Sequence, residues 1–153
     1  MSPVNRTARS GGYDAVVRAK GTFEVVEFVP AEGIGESPVR TGVPVGVARM
    51  TKQYAGGVTG RSATLFTAAF DQDTGVGTYV AMESFEGTLG GRQGAFNFAH
   101  SATTTGSTRQ AEFCTVVPGS GTGDLSGITG GGGLAIDTDG THRIWFDYEL
   151  PGS

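Results

Sequence analysis

A side-chain period of two constrains this chain more than any other feature. Segment after segment alternates apolar and polar residues, as in GTYVAMESFEGT (77–88) and THRIWFDYEL (141–150), and no stretch repeats at the helical period. Successive side chains of a strand point to opposite faces, so such a chain folds as strands half-buried on one side. Glycines and polar turns cut the pattern roughly every 10–15 residues. The spacing predicts strands at about 18–29, 45–54, 61–70, 77–88, 94–103, 108–117, 133–138 and 141–150, with a proline- and glycine-bearing loop over 30–44. Asp139-Gly140 reads as a hairpin turn in which both residues tolerate positive φ. Eight antiparallel strands with tight turns predict an all-β chain closed into a single eight-stranded barrel, which leaves no open edge. A loose N-terminal arm (1–16) precedes the barrel domain (17–153).

Glycine supplies 27 of the 153 residues, and three readings of that excess fail. It does not recur every third residue, as collagen requires. In 118–133, PGSGTGDLSGITGGGG, a dinucleotide fingerprint would put Asp124 or Ser126 where the third glycine belongs, and no amphipathic helix follows. No phosphate-binding G-K-[S/T] occurs either. The glycines therefore belong to turns and barrel rims, with Leu125 and Ile128 spaced as in one short helical turn. Asp71 and Asp73 begin like a calcium loop, but Met82 stands where the bidentate Glu should be, so a plain turn is expected. Asn5-Arg6-Thr7 fits a glycosylation sequon by chance.

No apolar run long enough for a membrane helix is present, and residues 1–16 lack the apolar core of a secretory signal. The single cysteine, Cys114, cannot close an internal disulfide; a cytoplasmic location follows as the expectation. A net charge of −4 argues against nucleic acid as a partner. Nothing calls for a cofactor or a metal.

Strand alternation sorts the chemistry by face. Tyr79, Ala81, Glu83 and Phe85 share one face; Phe96, Phe98 and His100 another; then Phe66, Ala68 and Phe70; Ala111, Phe113, Thr115 and Val117; and Ile144, Phe146, Tyr148 and Leu150. These aromatic-rich faces are expected to point inward, which leaves two inward ionisable groups, Glu83 and His100. Folding the chain about Gly90-Gly91 sets Glu83 opposite residues 98–100, so the two can meet across the strands. Burial raises the pKa of a carboxyl and a nearby imidazolium lowers it; either way a proton-exchanging pair is expected. A Glu–His pair that merely plugs a narrow barrel is the plainer alternative. His142, Asp147 and Glu149 are expected on the solvated surface. Cys114, on the face opposite Phe113, is expected at an outer surface or interface, and Trp145 faces outward, which suggests a homodimer.

The segment ESFEGTLGGRQGAFNFAHSAT (83–103), followed by VVPGSGTGDLSGITGGGG (116–133), resembles an uncharacterised bacterial family whose signature runs G-T-L-G-G-R-x-G-x-F, a His near the strand end, then V-V-P-G-S-G-T-G-x-L-x-G. GTFEV (21–25) resembles its opening strand, and the similarity spans about 18–150. Glu83, Gly87, Gly90, Gly91, Arg92, Gly94, Phe96, His100, Gly119, Gly121, Gly123, Leu125 and Gly130 fall on matching positions. The chain departs from that pattern over 101–108 and at Met82 and Phe85. The resemblance implies a barrel similar to the allene oxide cyclase-like proteins, which include cyclases that shape an apolar substrate toward one product.

A small-molecule enzyme is the resulting expectation. It would promote cyclisation or isomerisation of an apolar substrate, with secondary metabolism as the expected setting, and with Glu83, His100 and Tyr79 catalytic and Phe66, Phe96, Phe98, Phe146 and Tyr148 lining the substrate. A non-catalytic carrier and a filled structural barrel are the alternatives. A cavity under about 100 Å³ would mark the filled barrel, since ligand pockets run to about 300–1,000 Å³.

Overall fold

A computed structural model describes residues 12–13, 15–34 and 37–152. The sequon at 5–7 and most of the expected arm lie outside them. Among these residues all regular elements are strands: β1 (Val17–Pro30), β2 (Val45–Gly56), β3 (Val58–Asp71), β4 (Val76–Leu89), β5 (Arg92–Thr105), β6 (Arg109–Val116), β7 (Thr122–Gly123), β8 (Thr129–Ile136) and β9 (His142–Glu149). Neighbours run antiparallel in the order β4-β3-β2-β1-β9-β8-β6-β5, and β4 also pairs with β5, which closes an eight-stranded barrel. The short β7 adds to β5 through Gly94–Gly123 and Ala95–Thr122. No helix among the described residues is long and apolar enough to cross a membrane.

The turn chemistry explains the closure. Gly90 (φ 57°) and Gly91 (φ 86°) form a two-residue hairpin loop between Leu89 and Arg92, the twist-matched kind that needs positive φ twice. At the other end of the chain the expected Asp139-Gly140 turn is wider. Asp137 N donates to Thr141 O across it, and only Gly140 has positive φ. At 118–133 the sequence reading missed a strand and a half: β8 begins at Thr129, and the short β7 precedes it. Tyr13 makes an isolated antiparallel bridge to Pro151, just beyond β9.

Two bulges re-aim side chains. On β1 the register slips between Val25 and Glu27, so Phe23 and Val25 are partnered with Tyr54 and Lys52, whereas Phe28 meets Met50 beyond the slip. On β6 it slips between Phe113 and Gln110, where Ala111 has φ 52°. An extra residue in a ladder reverses which face follows it. The expected inward set Ala111, Phe113, Thr115, Val117 is therefore wrong past the bulge. Phe113 is 47% exposed, while Val116 is buried and Cys114 packs on the core.

The interior is unequally filled. At the Gly90 end, Phe85, Phe96, Phe98, Phe146, Ile144, Leu89 and Val58 pack at 2% exposure or less, with Leu125 and Ile128 of the glycine-rich connection plugging that end. Leu125 N bonds Thr122 O and Ile128 N bonds Leu125 O, the tight turns that the spacing suggested. Gly60 and Gly87 are register partners there, and a Cβ on either would run into the other strand's backbone. The opposite end is open.

Candidate active site at the open end of the barrel

Near the barrel's middle, β4 turns Glu83 fully inward, at 0% exposure. Its register partners are Thr64 on β3 and Phe98 on β5, which sets His100 diagonally across from it, as folding about Gly90-Gly91 predicts. Four donors converge on the carboxylate. Lys52 Nζ reaches Oε2 at 2.6 Å. Tyr54 and Ser62 hydroxyls each donate to Oε1 at 2.7 Å. His100 Nε2 bonds Oε2. Burial pushes this carboxyl up, but the His100 hydrogen bond and the Lys52 ammonium outweigh it and hold Glu83 well below the usual carboxylate range. The expectation of a carboxyl exchanging protons near neutrality therefore fails: Glu83 is a fixed anion. Lys52 joins His100 in this, a residue the sequence reading overlooked although Met50, Lys52 and Tyr54 alternate on one face of β2.

From Glu83 the chain of hydrogen bonds runs outward. His100 Nδ1 and the Tyr79 hydroxyl are 2.8 Å apart, and Arg109 Nη2 donates to the same hydroxyl at 3.1 Å. Arg109 also donates from Nε to Glu112 at 3.1 Å and lies 5.6 Å over the Tyr79 ring. Burial raises the Tyr79 pKa, against the lowering effect of the Arg109 hydrogen bond. A neutral phenol can thus accept from Arg109 and donate to His100 Nδ1, leaving His100 Nε2–H directed at Glu83. Arg109 is a second inward charge missed from sequence. It lies before the bulge, whereas Ala111, expected inward, sits in the bulge itself and is exposed.

This chain ends in a cavity of about 200 Å³ lined by Phe23, Val25, Met50, Lys52, Phe66, Tyr79, His100, Arg109, Leu134, Ala135, Ile136 and His142. Phe66 also borders a neighbouring apolar cleft of about 410 Å³ with Phe28, Val45 and Phe70. Of the expected site residues, Glu83, His100, Tyr79 and Phe66 come together here. Phe96, Phe98, Phe146 and Tyr148 do not; they are buried in the packed half, ring on ring, with Phe98–Phe146 centroids 5.0 Å apart. His142 is half-buried rather than solvated. It stacks on Phe23 at 5.0 Å because it continues the inward face of Ile144 and Phe146. Cys114 faces inward too, and burial together with the Glu83 charge pushes its thiol up to about 12, so it is no thiolate nucleophile. Trp145 lies on the outer face under the Arg18 guanidinium, 5.7 Å from its ring. Thr64 Oγ1 is buried and, among the described residues, has no hydrogen-bond partner.

A family model described as a protein of unknown function, DUF3224, matches residues 19–148. The chain belongs to the DUF3224 family. A crystal structure of a DUF3224 protein of unknown function from Shewanella oneidensis is similar to it, with a TM-score of 0.74 and 28% identity over 90% of this chain and 99% of that one. No curated protein matches. The DUF3224 match spans both the packed end and the Glu83–His100–Tyr79 chain.

Proposed function

We propose that this DUF3224 barrel is a small-molecule enzyme that moves protons on an apolar substrate held at its open end, an isomerisation or a proton-assisted cyclisation. One observation carries the reading: a buried chain, Glu83–His100–Tyr79, leads from a fixed anion to a hydroxyl in the wall of an apolar cavity of about 200 Å³. That volume exceeds the bound for a filled barrel and falls short of the usual ligand pocket, so a compact substrate fits.

Tyr79 is the acid–base group that touches substrate. As its oxygen takes a proton from a substrate carbon, its own proton passes along the hydrogen bond to His100 Nδ1. Glu83 balances the charge that forms on the ring and fixes the ring through Nε2, so it is a positioning residue. The reverse sequence returns a proton to the substrate at another atom, and the two together make a proton shift with no net gain. Positioned acid–base help of this kind contributes about 10²–10⁴ in rate. Phe23, Met50 and Phe66 would hold the substrate in one conformation, the manner of action that the sequence resemblance to allene oxide cyclase-like barrels implies.

Solvent-deuterium incorporation into compact enolisable ketones, 2-tetralone and phenylacetone, tests the reading by NMR. Exchange accelerated by the wild type and reduced about 10²-fold or more by Tyr79→Phe and by His100→Ala is expected. Equal exchange with wild type and Tyr79→Phe overturns it. A second reading, a carrier that binds without converting, is favoured by the four donors that keep Glu83 ionised. It predicts retention of a probe without exchange.

A further inference from the structure

We infer that the open-end cavity takes an apolar monocarboxylate, with the carboxylate on Arg109 and a compact, ring-sized body among Phe23, Met50 and Phe66. The inference rests on the proposed cavity and deepens it by naming the ligand's chemistry.

Its basis is the bookkeeping of donors. Among the described residues, the cavity wall carries Lys52, His100, Arg109 and His142, and no Asp or Glu side chain. The Lys52 ammonium is already committed to Glu83 at 2.6 Å, behind that wall. Arg109 is not fully committed. A guanidinium has five N–H donors, and among the described residues Arg109 uses one on Nε toward Glu112 and one on Nη2 toward Tyr79. Its remaining fork matches the two oxygens of a carboxylate better than a single hydroxyl or carbonyl oxygen. The Tyr79 contact and the stacking over its ring hold the guanidinium at the wall instead of in solvent, and its side chain is only 21% exposed. Glu112, which shares Arg109, is 43% exposed, so its hold is weakened by water and salt. The rest of the wall is apolar: Phe23, Val25, Met50, Phe66, Leu134, Ala135 and Ile136. A dry cavity of about 150 Å³ accepts benzene, so about 200 Å³ suits a ring bearing one carboxyl.

Calorimetry and amide chemical-shift mapping with benzoate and its neutral isostere benzamide test this at low salt. Benzoate is expected to bind at least about tenfold tighter than benzamide, as a charged hydrogen bond requires, and to shift signals around Phe66, Tyr79 and Leu134. Arg109→Met should bring benzoate down to the affinity of benzamide. Should that variant fail to fold, Glu112→Gln serves, because releasing Arg109 should tighten benzoate and leave benzamide unchanged. Equal binding of the two probes, a preference that survives Arg109→Met, or no gain for benzoate in Glu112→Gln overturns the carboxylate assignment and leaves the apolar cavity standing. Failure of both probes to shift those signals overturns the cavity as well.

Discussion

The two ends of the barrel are built from the same strands and do opposite things. At the Gly90 end the buried side chains are mainly rings and branched chains, and the glycine-rich connection adds Leu125 and Ile128 as a stopper. At the other end the same strands present Tyr79, His100 and Arg109 around unfilled space. Glu83 sits at the boundary, with donors from β2, β3 and β5. The difference teaches that stability and chemistry are divided along the strand axis: rings stacked to crystal-like density leave no room for a ligand, and polar side chains around a void contribute little to packing.

Substitutions at either end sharpen this division. Phe98→Ala, in the packed half, should cost about 3–5 kcal/mol in urea unfolding, whereas Phe66→Ala, half-buried at the open end, should cost about 1 kcal/mol and chiefly weaken ligand binding. Equal losses at the two sites would break the comparison. At the boundary, Glu83→Gln strands the Lys52 ammonium without its partner and should cost about 3 kcal/mol or more, with Lys52→Met recovering much of it in the double variant. The pH dependence follows from the same carboxylate. Its folded pKa lies below its unfolded value, so its stabilisation is complete above about pH 5 and drains as the pH falls through and beneath the ordinary carboxylate pKa of about 4.3. Acid unfolding curves of Glu83→Gln should lack that part of the slope; an unchanged slope would remove Glu83 as the anion. Leu125→Ala, which opens the plug, should lower stability by about 2 kcal/mol or more and leave probe binding at the far end intact. The smallest effect belongs to Thr64→Val, which removes an unpartnered buried hydroxyl and should be neutral or stabilising by up to about 1 kcal/mol. A clear loss there would show that this hydroxyl has a partner in solution.

Much of this was legible in the alternation. The strands, the inward faces of β4, β5 and β9, and the meeting of Glu83 with His100 all follow from a period of two and one glycine turn at Gly90-Gly91. Lys52 was legible in the Met50–Lys52–Tyr54 stripe, yet a lysine on an apolar face is expected to reach water along its stem, so only its burial beside Glu83 reveals it. The β6 inversion was not legible, because an alanine with φ 52° carries no glycine or proline to announce a bulge. His142 was misplaced by its nearness to a turn.

By itself the sequence determined that the chain closes as strands, which side chains share a face within an uninterrupted strand, and that Glu83 and His100 are neighbours, because side-chain direction and hairpin register are local properties. Only the tertiary structure decided which end is filled, that Lys52 joins His100 in holding the Glu83 carboxyl below the usual range, and that Tyr79 and Arg109 stand at the cavity wall. Those outcomes depend on bulges and on contacts between strands far apart in the chain, where one slipped residue turns a side chain from the interior to the solvent.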